Sequence, residues 1–162
     1  MKMTRSLISI IVPCFNQSET IIQTLESVLS QTYPDWECII VNDGSTDDSQ
    51  LKIEKFILND TRFKLKHIEN SGICVARNTA VSYAKGEYLF PLDGDDYIHK
   101  DCLRRCLSEF TKNPNLKLVC PQGQLFGAEK GLWILPAYDY ITILKFNVIH
   151  NSSLFLREDF ER

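Results

Sequence analysis

The chain has 162 residues, 44% of them apolar and 24% charged, which suits one soluble domain with a substantial buried core. Its formal net charge of −3 supplies no basic surface for a phosphate backbone, so nucleic acid is not an expected partner. No apolar run approaches the roughly 20 residues that a transmembrane helix requires.

The N-terminus carries an apolar run at residues 7–13, which predicts a buried first strand. Lys2 and Arg5 precede it and give it a faint likeness to a secretory leader. The run is too short for a leader, and no small-residue cleavage site follows it. We therefore expect a cytoplasmic protein. Its six cysteines contain no C-x-x-C pair, so reduced thiols are expected rather than a zinc site.

Strand and helix patterns alternate through the first two thirds of the chain. Apolar and β-branched runs predict four strands, at residues 7–13, 36–41, 63–68 and 87–92. Apolar residues at helical spacing predict a helix after each of the first three strands, with Ser18 capping the first and Ser45 or Thr46 the second. Gly86 is expected to end the third helix. This order predicts an α/β fold with a mainly parallel sheet and helices on both faces.

The remaining third has weaker patterns, and we expect it to belong to the same domain, residues 1–162. Helices are predicted at residues 103–110 and 138–146, and short strands at residues 116–121, 124–126, 132–135 and 153–156.

Polar residues follow the first, second and fourth predicted strands, and the carboxyl ends of parallel strands meet at one sheet edge. After the first strand, Pro13 leads into Phe15, on which a base can stack, and Asn16, which can bond a ligand or only the backbone of a turn. After the second, Asp43 is favoured as a ligand for a nucleoside, with an Asx-turn as the alternative. These loops predict a binding site at that edge.

Three acids, Asp93, Asp95 and Asp96, follow the fourth strand in the run YLFPLDGDDYI. Like charges this close repel one another unless a cation shares them, and one or two carboxylates with phosphates and waters suit Mg²⁺ or Mn²⁺. An EF-hand is excluded because its required Gly and Glu positions hold Ile98 and Arg104. The alternative is a solvated turn with a helix cap.

Five motifs, in order, resemble the inverting glycosyltransferases of family 2. They are LISIIVPCFN from Leu7, L-x-x-V-L-x-Q-T-Y from Leu25, I-V-N-D-G-S-T-D from Ile40, N-x-G-x-x-x-A-R-N-x-A from Asn70 and A-x-G-E-Y-x-x-x-L-D-x-D-D from Ala84. The similarity covers residues 7–97. Each motif alone is weak, but five with matching order and spacing are highly specific.

The resemblance implies a GT-A fold, a Rossmann-like architecture that binds a nucleotide sugar. By it, Asp43 binds the nucleobase, usually uracil. Asp93 and Asp95 form a D-x-D motif that meets the ribose and a Mn²⁺ or Mg²⁺ on the diphosphate. Residues 1–97 would be the nucleotide-sugar-binding part, and residues 98–162 an incomplete acceptor-side part.

The resemblance also implies roles for three further residues and a reaction. Asp96 would support the metal site or face the sugar, and Arg77 and Asn78 would line the cleft. The implied reaction transfers a sugar, with UDP as the expected nucleotide, to a glycan or lipid-linked acceptor with inversion. The usual setting is polysaccharide or lipid-linked glycan assembly, which adds peripheral association with the inner face of the membrane as an expectation.

Inversion requires a general base for the acceptor hydroxyl, and the resembling family places it well past the D-x-D motif. We expect that base to lie beyond Arg162, the last residue of the chain. Glu158 and Asp159 are stand-ins, but acids at a helix N-terminus are the ordinary explanation for them. His150 could approach an acceptor, although a structural histidine is the simpler interpretation.

Two other functions stay open. One is a domain that binds the donor nucleotide but lacks the base. The other is a sugar-nucleotide nucleotidyltransferase, which would want a Gly-rich loop with Lys or Arg after the first strand. The run PCFNQSE from Pro13 offers no such loop.

Overall fold

A computed structural model describes residues 6–160. Lys2 and Arg5 of the leader-like segment lie outside these residues, as does Arg162, so the expectation of a base beyond Arg162 stays a prediction.

The structure has eight strands and six helices within this range. The strands are β1 (Ile8–Cys14), β2 (Trp36–Asp43), β3 (Phe63–Ile68), β4 (Tyr88–Pro91), β5 (Leu118–Val119), β6 (Gly123–Leu125), β7 (Gly131–Trp133) and β8 (Leu154–Leu156). The helices are α1 (Ile21–Leu29), α2 (Ser49–Ile57), α3 (Ile73–Ser82), α4 (Cys102–Lys112), α5 (Tyr140–Ile143) and α6 (Arg157–Phe160).

The central sheet of this described part has six strands in the order β3-β2-β1-β4-β8-β5. The first four are mutually parallel, whereas β8 runs antiparallel to both of its neighbours. Every residue of β1 and β2 is buried, because a parallel sheet is covered on both faces. The mainly parallel α/β sheet predicted from the sequence is confirmed.

Helices cover both faces of the sheet, as predicted. On one face, α1, α2 and α4 contribute fully buried side chains such as Leu25, Ile53 and Leu103 to the core. On the other, α3 packs through Ala76 and Ala80, whose small side chains let the helix lie close to the strands. Each fully buried leucine or isoleucine contributes roughly 1.5–3 kcal/mol.

The predicted helix caps are wrong, because the polar residues concerned bond across loops. Helix α1 begins at Ile21 rather than after Ser18, and the Ser18 N–H donates to Asp47 Oδ2 at 3.0 Å. Helix α2 begins at Ser49. Ser45 instead accepts from the backbone of Asn16, and the Thr46 N–H donates to the side chain of Asn16.

Gly86 does not end the third helix, which stops at Ser82 with Tyr83 as its C-cap. It lies where the chain passes against β1, and its N–H donates to Ser9 Oγ at 2.8 Å. A Cβ atom on Gly86 would come within 2.6 Å of the Ser9 backbone nitrogen. This close approach, rather than helix termination, requires a glycine there.

Most elements of the last third are shorter than the sequence predicts, although α4 (Cys102–Lys112) is longer than the predicted helix at residues 103–110. Helix α5 has only four residues, none of them buried, and β5 has only two. Strands β6 and β7 form a separate hairpin. None of the helices in residues 6–160 is long and apolar enough to cross a membrane.

Candidate functional site

A cleft of about 360 Å³ lies at the carboxyl edge of the sheet, where the loops after β1, β2 and β4 meet the start of α3. It is lined by Pro13, Cys14, Phe15, Gln17, Asp43, Asn70, Gly72, Ile73, Ala76, Asp93 and Asp95. The loops therefore converge as the sequence predicts. The cleft that they form has an apolar wall, three carboxylates and two side-chain amides.

Asp43 ends β2 and is almost wholly buried, at 3% exposure. Its two carboxylate oxygens accept the backbone N–H groups of Ser71 at 2.8 Å and Gly72 at 2.9 Å. These donors precede α3, so the carboxylate lies at a helix N-terminus, where the helix dipole stabilises an anion. Asp43 therefore fixes the turn into α3 while its side chain still lines the cleft.

The loop after β1 places an aromatic wall beside this carboxylate. Phe15 lines the cleft and is 45% exposed, so part of its ring is available to a ligand. Pro13 lines the same cleft. Burial raises the pKa of the Cys14 thiol to about 11, so Cys14 stays protonated at neutral pH and provides no thiolate nucleophile.

Asn16, the neighbour of Phe15, has a different position from the one expected of a ligand residue. Its backbone is left-handed, with φ 51°, and its side-chain oxygen accepts the Thr46 N–H at 2.8 Å. It is not among the residues that line the cleft. The structure shows Asn16 joining the loops after β1 and β2, and its role toward a nucleotide sugar stays a prediction.

The acidic loop (residues 93–96) follows β4 and places its three acids in three environments. Asp93 accepts from Arg77 Nη2 at 2.5 Å through Oδ1 and from Asn151 Nδ2 at 2.6 Å through Oδ2. Asp95 is exposed and lines the cleft. Asp96 is half-buried, and that burial together with the charges of Asp95 and Asp93 raises the pKa of its carboxyl.

The acidic loop suits a divalent cation that is held mainly by its ligand. No three His, Cys, Asp or Glu side chains within residues 6–160 form a ready-made metal site. Mg²⁺ and Mn²⁺ commonly bind through one or two carboxylates, with phosphates and waters completing the shell, and Asp95 with Asp93 supplies that number. Burial is the main reason that the pKa of Asp96 is raised, and the charges of Asp95 and Asp93 add to it; a cation would relieve the second effect.

Glu158 and Asp159 are not brought to the cleft. They lie in α6, whose first N–H, that of Arg157, donates to the Glu87 carbonyl at 2.9 Å, just before β4 begins. The acidic loop follows the other end of β4, about 15 Å away along the strand. Asp159 also pairs with Lys117 at 3.2 Å, and Glu158 borders a separate hollow of about 430 Å³ at this amino edge.

Two other candidates also lie apart from the cleft lining. Asn78 is exposed on α3 and is not among the lining residues, whereas Arg77 reaches the site through Asp93. His150 packs edge-on against Trp133, with ring centroids 4.1 Å apart, and burial lowers the pKa of its imidazole. His150 is thus a packed aromatic residue in this structure.

Two residues of the site were not expected. Asn151 contacts Asp93 from 58 residues away, and no local pattern in the sequence points to that contact. Gln17 lines the cleft, and its buried Oε1 has no hydrogen-bond partner within the described residues. This acceptor is therefore open to a donor from a water or a ligand. The sequence signal for Gln17 was its position directly after Asn16, a predicted ligand residue.

Known proteins resemble this chain in sequence. The family model for glycosyl transferase family 2 matches residues 9–158. Chondroitin synthase from Pasteurella multocida (strain Pm70) is 42% identical over 113 residues, which cover 70% of this chain and 12% of that protein. Poly-beta-1,6-N-acetyl-D-glucosamine synthase from Staphylococcus epidermidis is 36% identical over 138 residues, covering 85% of this chain and 33% of that protein. The chain thus spans a minor part of these relatives.

Solved structures resemble it in fold. S. aureus TarS 1-349 in complex with UDP superposes with a TM-score of 0.77 at 24% identity, covering 95% of this chain and 48% of that one. Mannosyltransferase PcManGT from Pyrobaculum calidifontis, in complex with GDP-Man and Mn²⁺, also has a TM-score of 0.77, at 22% identity, covering 99% of this chain and 47% of that one.

Proposed function

The chain belongs to glycosyl transferase family 2 and has the GT-A fold, and from this we propose that it binds a nucleotide-sugar donor and transfers the sugar, with inversion, to a glycan or lipid-linked acceptor. The observation that carries the proposal is the acidic loop. It lies in the same cleft as Phe15 and Asp43, so a nucleobase pocket and a cation site are joined in one ligand-sized space.

We place the nucleoside between Phe15 and Asp43, with the diphosphate toward the acidic loop. Phe15 offers a ring face to the base, and Asp43 offers the remaining acceptor capacity of a carboxylate already oriented by Ser71 and Gly72. Asp93 would accept from the ribose. UDP is the proposed nucleotide, supported by a fold neighbour solved with UDP-GlcNAc, although another was solved with GDP-Man.

Asp95, with Asp93, is proposed to hold Mn²⁺ or Mg²⁺ on the diphosphate, and Asp96 to support them. A divalent cation there would neutralise the negative charge that develops on the diphosphate as the sugar departs. Asp95 suits this role because it is exposed to the cleft, whereas Asp93 is already bonded on both oxygens.

The acceptor is proposed to be a glycan or lipid-linked glycan, which is supported by relatives named as polysaccharide synthases. Attack on the anomeric carbon requires a base. Glu158 and Asp159 lie at the opposite sheet edge, so we assign the base to neither of them, and a base beyond Arg162 stays the prediction. Because neither acid lies near the cleft, donor binding without transfer stays the second candidate function. A cytoplasmic location at the inner face of the membrane stays a prediction.

Calorimetric titration of UDP with and without Mn²⁺ tests the donor site. We expect Mn²⁺ to tighten UDP binding, and Asp95→Ala to remove most of that gain, about tenfold or more in Kd. Asp48→Ala is the matched control, because Asp48 is an exposed acid outside the cleft. UDP and GDP both failing to bind in the presence of Mn²⁺ would refute the proposal.

A transfer assay then separates the two candidate functions. Release of free sugar or transfer to an oligosaccharide from a UDP-sugar, with activity retained in Glu158→Gln and Asp159→Asn, would support transfer by a base elsewhere. Donor binding with no turnover would favour the second candidate. Activity abolished by either substitution alone, with UDP binding intact, would show that our placement of these acids is wrong.

A further inference from the structure

Asp93 is held from both sides by side chains of distant segments, Arg77 on α3 and Asn151 in the loop before β8. We propose that Asn151 is a positioning residue, which orients the Asp93 carboxylate so that Asp93 accepts from the donor ribose at the edge of the cation site it shares with Asp95. This inference rests on the proposed donor site and adds to it a residue from the predicted acceptor-side part of the chain.

The two contacts fix the rotation of the Asp93 carboxylate. Arg77 bonds Oδ1 at 2.5 Å and Asn151 bonds Oδ2 at 2.6 Å, so rotation about the last side-chain bond would break both. Each bond has an ionised acceptor, and such hydrogen bonds are short and strong. Each oxygen keeps one lone pair, and the side chain is 25% exposed, so a ribose hydroxyl can still reach it.

Asn151 is itself held by the main chain around it. The Ser153 N–H donates to the Asn151 carbonyl at 2.7 Å, and Ser153 Oγ donates to the His150 carbonyl at 2.6 Å. Ser153 is buried and precedes β8, which pairs directly with β4, the strand that delivers Asp93. The donor amide and the acceptor carboxylate therefore both extend from adjacent strands of one sheet.

The charges indicate why an amide suits this position. Arg77 already compensates the charge of Asp93, and a second cation would compete with a metal ion for the acidic loop. An amide donates a hydrogen bond without adding charge. Asp95 has no comparable partner within the described residues, so it stays available to a cation.

The test compares Asn151→Ala with the wild-type chain, using UDP and its 2′-deoxy and 3′-deoxy analogues with Mn²⁺ in calorimetry. We expect Asn151→Ala to weaken UDP about tenfold, as expected for loss of one hydrogen bond to a charged group. Binding of the analogue that lacks the hydroxyl accepted by Asp93 should change less than about twofold, because that contact is already absent. Asn147→Ala, an exposed asparagine of the same loop, should change none of the three affinities.

Each outcome has a distinct meaning. If the wild-type chain binds neither UDP nor GDP with Mn²⁺, the proposed function falls together with this inference; if it binds GDP alone, the same comparison is made with GDP and its deoxy analogues. If wild-type binding is present and Asn151→Ala weakens all three nucleotides equally, Asn151 has only a structural role and the inference alone is refuted. Unchanged UDP binding in Asn151→Ala also refutes it. Comparing ligands within one variant protects the result from any general loss of stability.

Discussion

At the scale of single residues, the acids of the cleft differ because of their neighbours and not their chemistry. Asp43 is buried against two backbone N–H groups, Asp93 is bonded by two side chains, and Asp95 is exposed. The first therefore orders a turn, the second has a fixed orientation, and the third can exchange water for a cation. The sequence has aspartate at all three positions, and it is their hydrogen-bond partners and exposure in the folded protein that distinguish their roles.

Asp43→Asn is expected to lower the free energy of unfolding by about 1–3 kcal/mol, because a carboxamide has one acceptor oxygen where the carboxylate has two. Either the Ser71 or the Gly72 N–H would then face an amide donor in a buried site. Urea unfolding measures the change. Asp48→Asn, at an exposed position, should stay within about 0.5 kcal/mol of the wild type, and equal effects of the two substitutions would contradict the assignment.

At the scale of elements, the four parallel strands were predicted well, whereas the caps of the first two helices were predicted wrongly. The strand β3 has the bounds 63–68 that the sequence predicts, and β1 differs by one residue at each end. Continuous apolar runs are local signals, since a buried parallel strand needs little else. The caps failed because Ser45 and Thr46 bond to Asn16, a partner that local pattern does not reveal.

Gly86→Ala tests the contact between β1 and the segment that leads into β4. The added Cβ would meet the backbone of Ser9 and the Leu7 carbonyl, at 2.6 and 2.8 Å, and neither can move without disturbing the sheet. We expect a loss of about 3 kcal/mol in unfolding free energy, measured by urea titration.

Gly127→Ala is the control for Gly86→Ala. Its φ is 84°, but nothing lies within 4 Å of the added Cβ, so only backbone strain of about 1 kcal/mol is expected. A smaller loss for Gly86→Ala than for Gly127→Ala would show that the segments do not approach as closely as described.

At the scale of the whole molecule, Glu37 joins several segments of the sheet. It accepts from Lys64 on β3 at 2.5 Å, from Ser9 on β1 at 2.7 Å and from the Lys85 N–H before β4 at 2.6 Å. Burial by itself would raise the pKa of Glu37, but these hydrogen bonds outweigh it and hold the pKa below its usual value. The ionised form is therefore part of what keeps β1, β2 and β3 together.

A lowered folded-state pKa gives stability that is fully present above the unfolded-state value, about 4.3 for Glu, and is lost as the pH falls through the folded-state value. We expect the unfolding free energy to decline below about pH 4.3. Glu37→Gln should reduce that decline and cost about 2 kcal/mol at neutral pH. Urea unfolding from neutral pH down to about pH 3 measures both.

Glu109→Gln is the matched control for the acid measurements. Glu109 forms an exposed pair with Lys112, and such pairs contribute little to stability. Its pH curve should follow that of the wild type. If the unfolding free energies of Glu37→Gln and the wild type fell equally at acid pH, Glu37 would not be a cause of that fall.

The sequence by itself determined the α/β class, the parallel direction of the first four strands and the edge at which the acids gather, and its family resemblance is confirmed by the family model. These features follow from periodicity and from the rules of parallel connections, both of which are readable along the chain. The tertiary structure alone decided that Asn151 meets Asp93, that Gly86 meets β1, and that Glu158 lies at the far edge. Such contacts join residues that are far apart in sequence, and they depend on strand pairing and loop geometry that no local pattern specifies.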